Sequence, residues 1–387
     1  MRIAQVAPLF ERVPPVLYGG TERVVACLTD ELVRQGHDVT LFASGDSRTA
    51  ARLVPGCPRG LRLDQDCREP LAWHLSMIER VAAESHRFDI VHFHTDQVHL
   101  PQARRISTAH VTTVHSQLNL PELENLFREF SDVPLISISD AQRMPVPHAN
   151  WIATVHHGLP PDVLRFRSGS GGYLAFLGRL SPEKRVDRAI AIATALKCPL
   201  KIAAKVDTAA ADYFHREVRP LLDHPLVEFI GEIGDAEKNS FLGEARALLF
   251  PIDWCEPFGL VMIEALACGT PIVAFRAGSV PEIIDDGRTG FIVETLDAAI
   301  AATARIDTLD RRVCRQVFDE RFTTRQMAER YIASYASVLE GRKPHPGPAS
   351  RPFVERRSRP ALRSSIALDS HSERVVRKDQ ADVGRAS

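Results

Sequence analysis

A chain of 387 residues is too long for one ordinary hydrophobic core, so two domains are expected. Hydrophobic residues at 44% and charged residues at 25% are soluble globular composition, and a net charge of -1 argues against nucleic-acid binding as the main activity. The cysteine count is odd and the spacings are unpaired, which argues against a disulfide framework and for a reducing, cytoplasmic setting. No apolar run reaches the ~20 residues of a membrane span, so contact with a membrane would be peripheral at most.

In chain order, residues 3–7 read as a strand, too short and too alternating for a signal peptide. A proline-rich loop ends at Tyr18-Gly19-Gly20, and a helix follows with Val24, Val25, Leu28 and Leu32 on one face. Residues 39–42 form a second strand. Strand, glycine loop and helix start together open a nucleotide-binding α/β unit, although the spacing is not that of a dinucleotide fingerprint. Residues 44–70, rich in Arg, Asp, Gly and Pro, read as an irregular excursion. Asp64-Gln65-Asp66 has the form of a metal-holding acidic pair but lacks the apolar strand that should precede it, so no metal is assigned.

From residue 71 helices alternate with short β-branched runs at 89–94, 110–115, 134–138 and 151–155, which implies a parallel sheet. His92, His94 and His115 fall near strand carboxyl ends, where open α/β sheets place ligands. A metal trio and ordinary hydrogen-bonded histidines both fit His92 and His94. His115, entering the polar loop Ser116-Gln117-Leu118-Asn119, is the best of the three for a cleft role. A turn-rich connector follows, from His156-His157-Gly158 to Gly171-Gly172.

The second half repeats the rhythm. A strand at 173–177 leads to Gly178-Arg179-Leu180-Ser181-Pro182-Glu183-Lys184-Arg185, read as a helix start with Ser181 as N-cap and Pro182 at its first position. Cations crowded at a helix N-terminus oppose its dipole unless an anion is expected. A diphosphate would supply that anion, with Arg179 and Lys184 as partners; a solvated basic turn is the alternative. Strands at 200–204, 227–230, 247–250, 271–275 and 291–293 and helices at 297–304, 310–320 and 323–339 complete the globular part. Residues 342–387, rich in Pro, Ser and Arg, read as a disordered basic tail.

The most informative stretch is Glu256-Pro257-Phe258-Gly259-Leu260-Val261-Met262-Ile263-Glu264. A helix beginning at Gly259 would present unpaired amides beside Glu256, with Glu264 about 7 Å along the axis. Two acceptors so placed suit two parts of one polar ligand, and on this segment alone a buried helix with salt-bridged glutamates fits equally well.

With these motifs in order, the chain resembles glycosyltransferase family 4. The resemblance rests on Tyr18-Gly19-Gly20, the Arg179–Lys184 loop, Glu256 through Glu264, and the later Ala267-Cys268-Gly269-Thr270-Pro271 and Pro281-Glu282-Ile283 segments. It implies an α/β fold of two Rossmann-like domains facing a cleft, the GT-B architecture. The first would be an acceptor-side domain at 1–165 and the second a nucleotide-sugar domain at 172–325, followed by a helix at 326–341 packing back on the first.

It further implies retaining transfer from a nucleotide-diphosphate sugar, UDP- or GDP-linked, to a hydroxyl on a sugar, lipid-linked or small acceptor, with no metal or other cofactor. Glu264 would take the ribose, and Arg179, Lys184 and the amides at Gly19 and Gly20 the diphosphate. Phe258, Gly259 and Leu260 would meet the sugar hydroxyls through their backbone, with Glu256 beside the sugar and His115 approaching from the other domain. Two departures stand out. Arg185 occupies a position where the family has glycine, and His156-His157-Gly158 stands where it has an Asn-Gly segment. A nucleotide-sugar epimerase on the same plan and a non-catalytic sugar-nucleotide binder are the alternatives; a dehydrogenase fails for want of its glycine fingerprint.

Overall fold

The computed structural model describes residues 1–341 except 18, 63, 169–170 and 207–210. Tyr18 and the basic tail at 342–387 lie outside the described residues. The first half is a parallel sheet of β1 (Arg2–Val6), β2 (Asp38–Ser44), β3 (Arg52–Cys57), β4 (Ile90–Phe93), β5 (Ala109–Thr113), β6 (Leu135–Ser137) and β7 (Trp151–Thr154), in the order β3-β2-β1-β4-β5-β6-β7. The second is a parallel sheet of β8 (Leu174–Arg179), β9 (Leu200–Lys205), β10 (Val227–Gly231), β11 (Ala247–Phe250), β12 (Ile272–Phe275) and β13 (Gly290–Val293), in the order β10-β9-β8-β11-β12-β13. This is the expected pair of Rossmann-like sheets with flanking helices. The strands are apolar almost throughout because helices cover both faces of each sheet.

One element departs from the sequence reading. Residues 44–70 are not wholly irregular, because β3 lies within them and pairs in parallel with β2. Its Pro55 and Gly56 argue against a central strand, but β3 is an edge strand, where a missing N–H is tolerated.

The chain order changes direction between β1 and β4 and again between β8 and β11. Open sheets bind ligands outside the carboxyl ends of strands at such switch points. The ends of these four strands and the loops after them carry Gly19, His94, Arg179 to Lys184, and Glu256, so topology brings together residues that are far apart in sequence.

The polypeptide crosses between the halves twice, after β7 and again before the last helix, Thr324–Gly341. The two crossings are joined: the Leu159 amide donates to Phe322 O at 2.9 Å and the Thr324 amide to Leu159 O at 3.0 Å. A Cβ on Gly158 would stand 2.2 Å from Thr323 O, so the close approach requires glycine there. The last helix then buries Met327, Ala328, Tyr331 and Tyr335 against Ile3, Val24, Leu28 and Val111 of the first half. No helix among the described residues is long and apolar enough to cross a membrane.

Candidate active site

A cavity of about 780 Å³ lies between the carboxyl ends of the two sheets. Gly19, Gly20 and His115 line it from the first half, and Arg179, Lys184, Glu256, Phe258, Gly259 and Leu260 from the second. Nine of the ten residues singled out from sequence therefore meet in one place. Glu264 does not join them in the lining; it is 5% exposed and its carboxylate is paired with Lys238.

The organising helix is Leu260–Ala267, with Gly259 as its N-cap at φ 81°. The turn before it is held from three sides. Ser279 donates its hydroxyl to Phe258 O at 2.8 Å and its amide to Glu256 O at 3.0 Å. Gly278, at φ 53°, packs so closely that a Cβ would stand 2.3 Å from Glu256 O. From the first half, the Ser139 hydroxyl donates to Pro257 O at 2.6 Å. Beside it Glu282 accepts from the amides of Asp140 and Ala141 at 2.8 Å. The glutamate turn is thus fixed by both halves.

Each glutamate of this element is partnered by a lysine. Lys184 Nζ lies 2.5 Å from Glu256 Oε2, with the two side chains 15% and 10% exposed. Trp254 donates its indole N–H to the same oxygen at 3.1 Å, and its ring lies 4.7 Å from the Lys184 ammonium. Lys238 Nζ lies 2.7 Å from Glu264 Oε1 and 3.5 Å from Asp235. Asp235 in turn pairs with Arg23 of the first half. Trp254 and Lys238 were not foreseen. Trp254 is two positions from Glu256 and legible as its neighbour, whereas Lys238 reaches Glu264 across 26 positions with no motif to announce it.

The loop bearing Arg179 and Lys184 differs from the sequence reading. Pro182–Lys184 is one 3-10 turn, and the helix proper runs over Val186–Ala195. Ser181 does not cap it; its hydroxyl donates to Glu183 Oε1 at 2.6 Å. The cations are therefore in a turn before the helix, not in its first turn, because Arg185 intervenes at φ 52° and ψ 49°. That left-handed conformation explains why glycine suits the position. Arg185 offsets the strain through Asp187 and Asp253, each at 2.8 Å. Arg185→Gly and Arg185→Ala lose the same ion pairs, so their difference isolates the backbone. The alanine variant should be less stable by about 1 kcal/mol, a melting difference of about 2–4 °C by calorimetry; equal melting points would remove the strain argument.

On the first-half wall, burial pushes His115 down to about 3. Burial also holds His92, His94 and His157 well below the ordinary histidine range, helped for each by neighbouring histidines, so these rings are neutral near pH 7. His115 stacks on His157 with centroids 5.4 Å apart. Its backbone amide donates to Asp96 at 2.9 Å, which fixes the end of β5. Glu22, 4% exposed in the first turn after the glycine pair, is pushed up to about 7 by burial. It also lines the cavity and was not foreseen. Among the described residues no group of three or more His, Cys, Asp or Glu side chains is arranged to hold a metal ion.

Residues 18–133 match the family model Glycosyltransferase Family 4, and residues 166–320 match Glycosyl transferases group 1. The chain belongs to the family-4 type of glycosyltransferase. This glycosyltransferase is 27% identical to glycogen synthase from Mycobacterium tuberculosis, over 86% of its own length and 95% of that protein's. Among solved structures it resembles AviGT4, a glycosyltransferase involved in avilamycin A biosynthesis. The identity is 26% and the TM-score 0.68, over 88% of this chain and 99% of that one. It shares its fold with HepE from Anabaena, solved in complex with UDP-glucose, at 16% identity and a TM-score of 0.67, over 87% of this chain and 100% of that one. These likenesses place the two sheets in the GT-B architecture.

Proposed function

We propose that this glycosyltransferase moves a sugar from a nucleotide-diphosphate sugar, UDP- or GDP-linked, to a hydroxyl acceptor with retention of anomeric configuration. The acceptor is a sugar, a lipid-linked glycan or a small molecule, in glycan, polysaccharide or glycolipid synthesis. The observation that carries the reading is the convergence of Arg179, Lys184 and Glu256 in one cavity with Gly19, Gly20 and His115 of the other half. Relatives support it: glycogen synthase by its name, and HepE by its complex with UDP-glucose.

In this reading residues 172–325 hold the donor and residues 1–165 present the acceptor. Arg179 and Lys184 hold the diphosphate with the amides at Gly19 and Gly20. The sugar lies on the backbone of Phe258, Gly259 and Leu260. An arriving phosphate competes with Glu256 for Lys184, which frees the Glu256 carboxylate to accept from a sugar hydroxyl. As the bond from the anomeric carbon to the phosphate oxygen breaks, charge grows on that oxygen, where the two cations stabilise it. The acceptor oxygen bonds to the same face of the anomeric carbon, and its proton passes to the departing phosphate. His115 faces this region as a neutral group. With two cations neutralising the phosphates, the reading requires no metal. We place the reaction in the cytoplasm, with peripheral membrane contact at most, since all seven cysteines are free thiols.

A thermal-shift screen against UDP-, GDP- and ADP-sugars, followed by NMR of the product anomer, tests the reading. One nucleotide class should raise the melting temperature, and the product should keep the donor configuration. Glu264→Gln should weaken donor binding about 10–100-fold, the worth of a hydrogen bond to a charged group, while kcat changes less. Inversion at the anomeric carbon, or no response to any sugar nucleotide, would overturn it.

A further inference from the structure

A continuous file of hydrogen bonds runs from the cavity wall through the core of the first half to the last helix. His115 Nε2 lies 2.9 Å from His94 Nδ1, and His94 Nε2 lies 2.7 Å from Gln5 Oε1. Gln5 Nε2 donates to the Tyr335 hydroxyl at 3.1 Å, which lies 2.7 Å from His92 Nδ1. His92 Nε2 lies 2.7 Å from Thr113 Oγ1, and Thr113 donates to the Tyr331 hydroxyl at 3.0 Å. Gln5, His92, Thr113, Tyr331 and Tyr335 are fully buried and His94 is 1% exposed, so water cannot substitute for any member.

Within such a file the direction of every bond is coupled to the next. Gln5 is the member whose two ends differ in kind, since its oxygen can only accept and its nitrogen only donate. With Oε1 towards His94, the His94 proton must sit on Nε2. A neutral His94 then offers a lone pair at Nδ1, so His115 must donate from Nε2. On the other side the Gln5 amide donates to Tyr335, whose own proton goes to His92, and His92 passes a donor to Thr113 and on to Tyr331. Along the file His94, Gln5, Tyr335, His92 and Thr113 each accept one of these bonds and donate the next.

We propose that Gln5, His94 and Tyr335 are positioning residues that hold His115 in the tautomer with its proton on Nε2 and its Nδ1 lone pair available to the cavity. The inference rests on reading that cavity as the transfer site. It deepens the reading by giving His115 a defined chemistry, that of a neutral acceptor for a hydroxyl of donor or acceptor. It also gives the last helix a task in that chemistry, because the Tyr335 hydroxyl couples the direction of the Gln5 amide to that of His92 and of Thr113, which donates to Tyr331. A reversed amide would reverse every bond in the file and present an N–H to the cavity instead.

Two-bond ¹H–¹⁵N correlation spectra of the full chain labelled at histidine read the tautomer directly, with His115 assigned by the loss of its signals in His115→Gln. The wild type should show a protonated Nε2 and an unprotonated Nδ1. Tyr335→Phe removes the acceptor of the Gln5 amide and should produce a mixed or reversed tautomer, with kcat down about tenfold or more and donor KM nearly unchanged. A protonated Nδ1 in the wild type, or a tautomer indifferent to Tyr335→Phe, overturns the proposal; the wild-type spectrum decides even if a variant fails to fold. The spectra require no sugar transfer. A failure of the transfer reading shows separately, as a wild-type protein that neither binds nor turns over any sugar nucleotide while its His115 tautomer is as stated.

Discussion

Lys184→Ala is expected to reduce kcat/KM about 10²–10³-fold, the usual loss when one group that stabilises developing charge is removed. It is also expected to destabilise the protein by about 3 kcal/mol, since breaking a buried ion pair leaves the other charge uncompensated. The charge left behind is Glu256, 8% exposed and retaining the Trp254 N–H. Addition of Glu256→Gln removes that unpaired charge, so the double variant should recover most of the lost stability and none of the activity. Chemical denaturation and initial-rate assays on the same three proteins separate the two effects. A Lys184→Ala enzyme with normal kcat/KM would show that the cation does not serve the leaving group.

The second large effect is a dependence on pH carried by Glu22. Its carboxyl stands at about 7 in the folded protein against an ordinary 4.5, because burial disfavours the charged form. Between those values the folded state keeps a proton that the unfolded chain has released. The stabilisation is therefore full below pH 4.5 and is lost as pH rises through about 7, with an upper size of about 3 kcal/mol. Glu22→Gln keeps the shape and removes the titration. Unfolding by urea at pH 5 and pH 8 should show the wild type losing about that much more stability than the variant. Parallel losses in the two proteins would refute the assignment. Below neutral pH a largely protonated Glu22 beside Gly19 and Gly20 also spares an incoming diphosphate a like charge.

Much of this site could be read from the residues because its parts are local. The Gly19-Gly20 loop, the Arg179–Lys184 loop and the stretch from Glu256 to Glu264 each carry their own turn and helix signals, and alternating apolar runs give two parallel sheets. What sequence did not convey falls into two kinds. Some features are local but carry contrary signals: Pro55 and Gly56 conceal an edge strand, and Arg185 interrupts what reads as a single helix start. Others are pairings across distance. Nothing near Lys238 indicates that it will meet Glu264, and Gln5 and Tyr335 are separated by 330 positions before their side chains touch. The burial that raises Glu22 and lowers His115 likewise belongs to the assembled interior, not to any window of the chain.

The joined crossings at Leu159 and Thr323 bear on how the enzyme can move. Two rigid bodies linked by one flexible strand keep nearly all six relative degrees of freedom. Two strands fastened side by side suppress sliding and twisting and leave chiefly a swing about their common line. Under the proposed reading, such a swing would bring a sugar on Phe258 to Leu260 up to His115 in one register. Accuracy of alignment in this enzyme is thus set at a seam that adjoins the cavity, since Phe322 lies 6.4 Å from the Phe258 ring and His157 stacks on His115, and a longer, unfastened crossing would loosen that register.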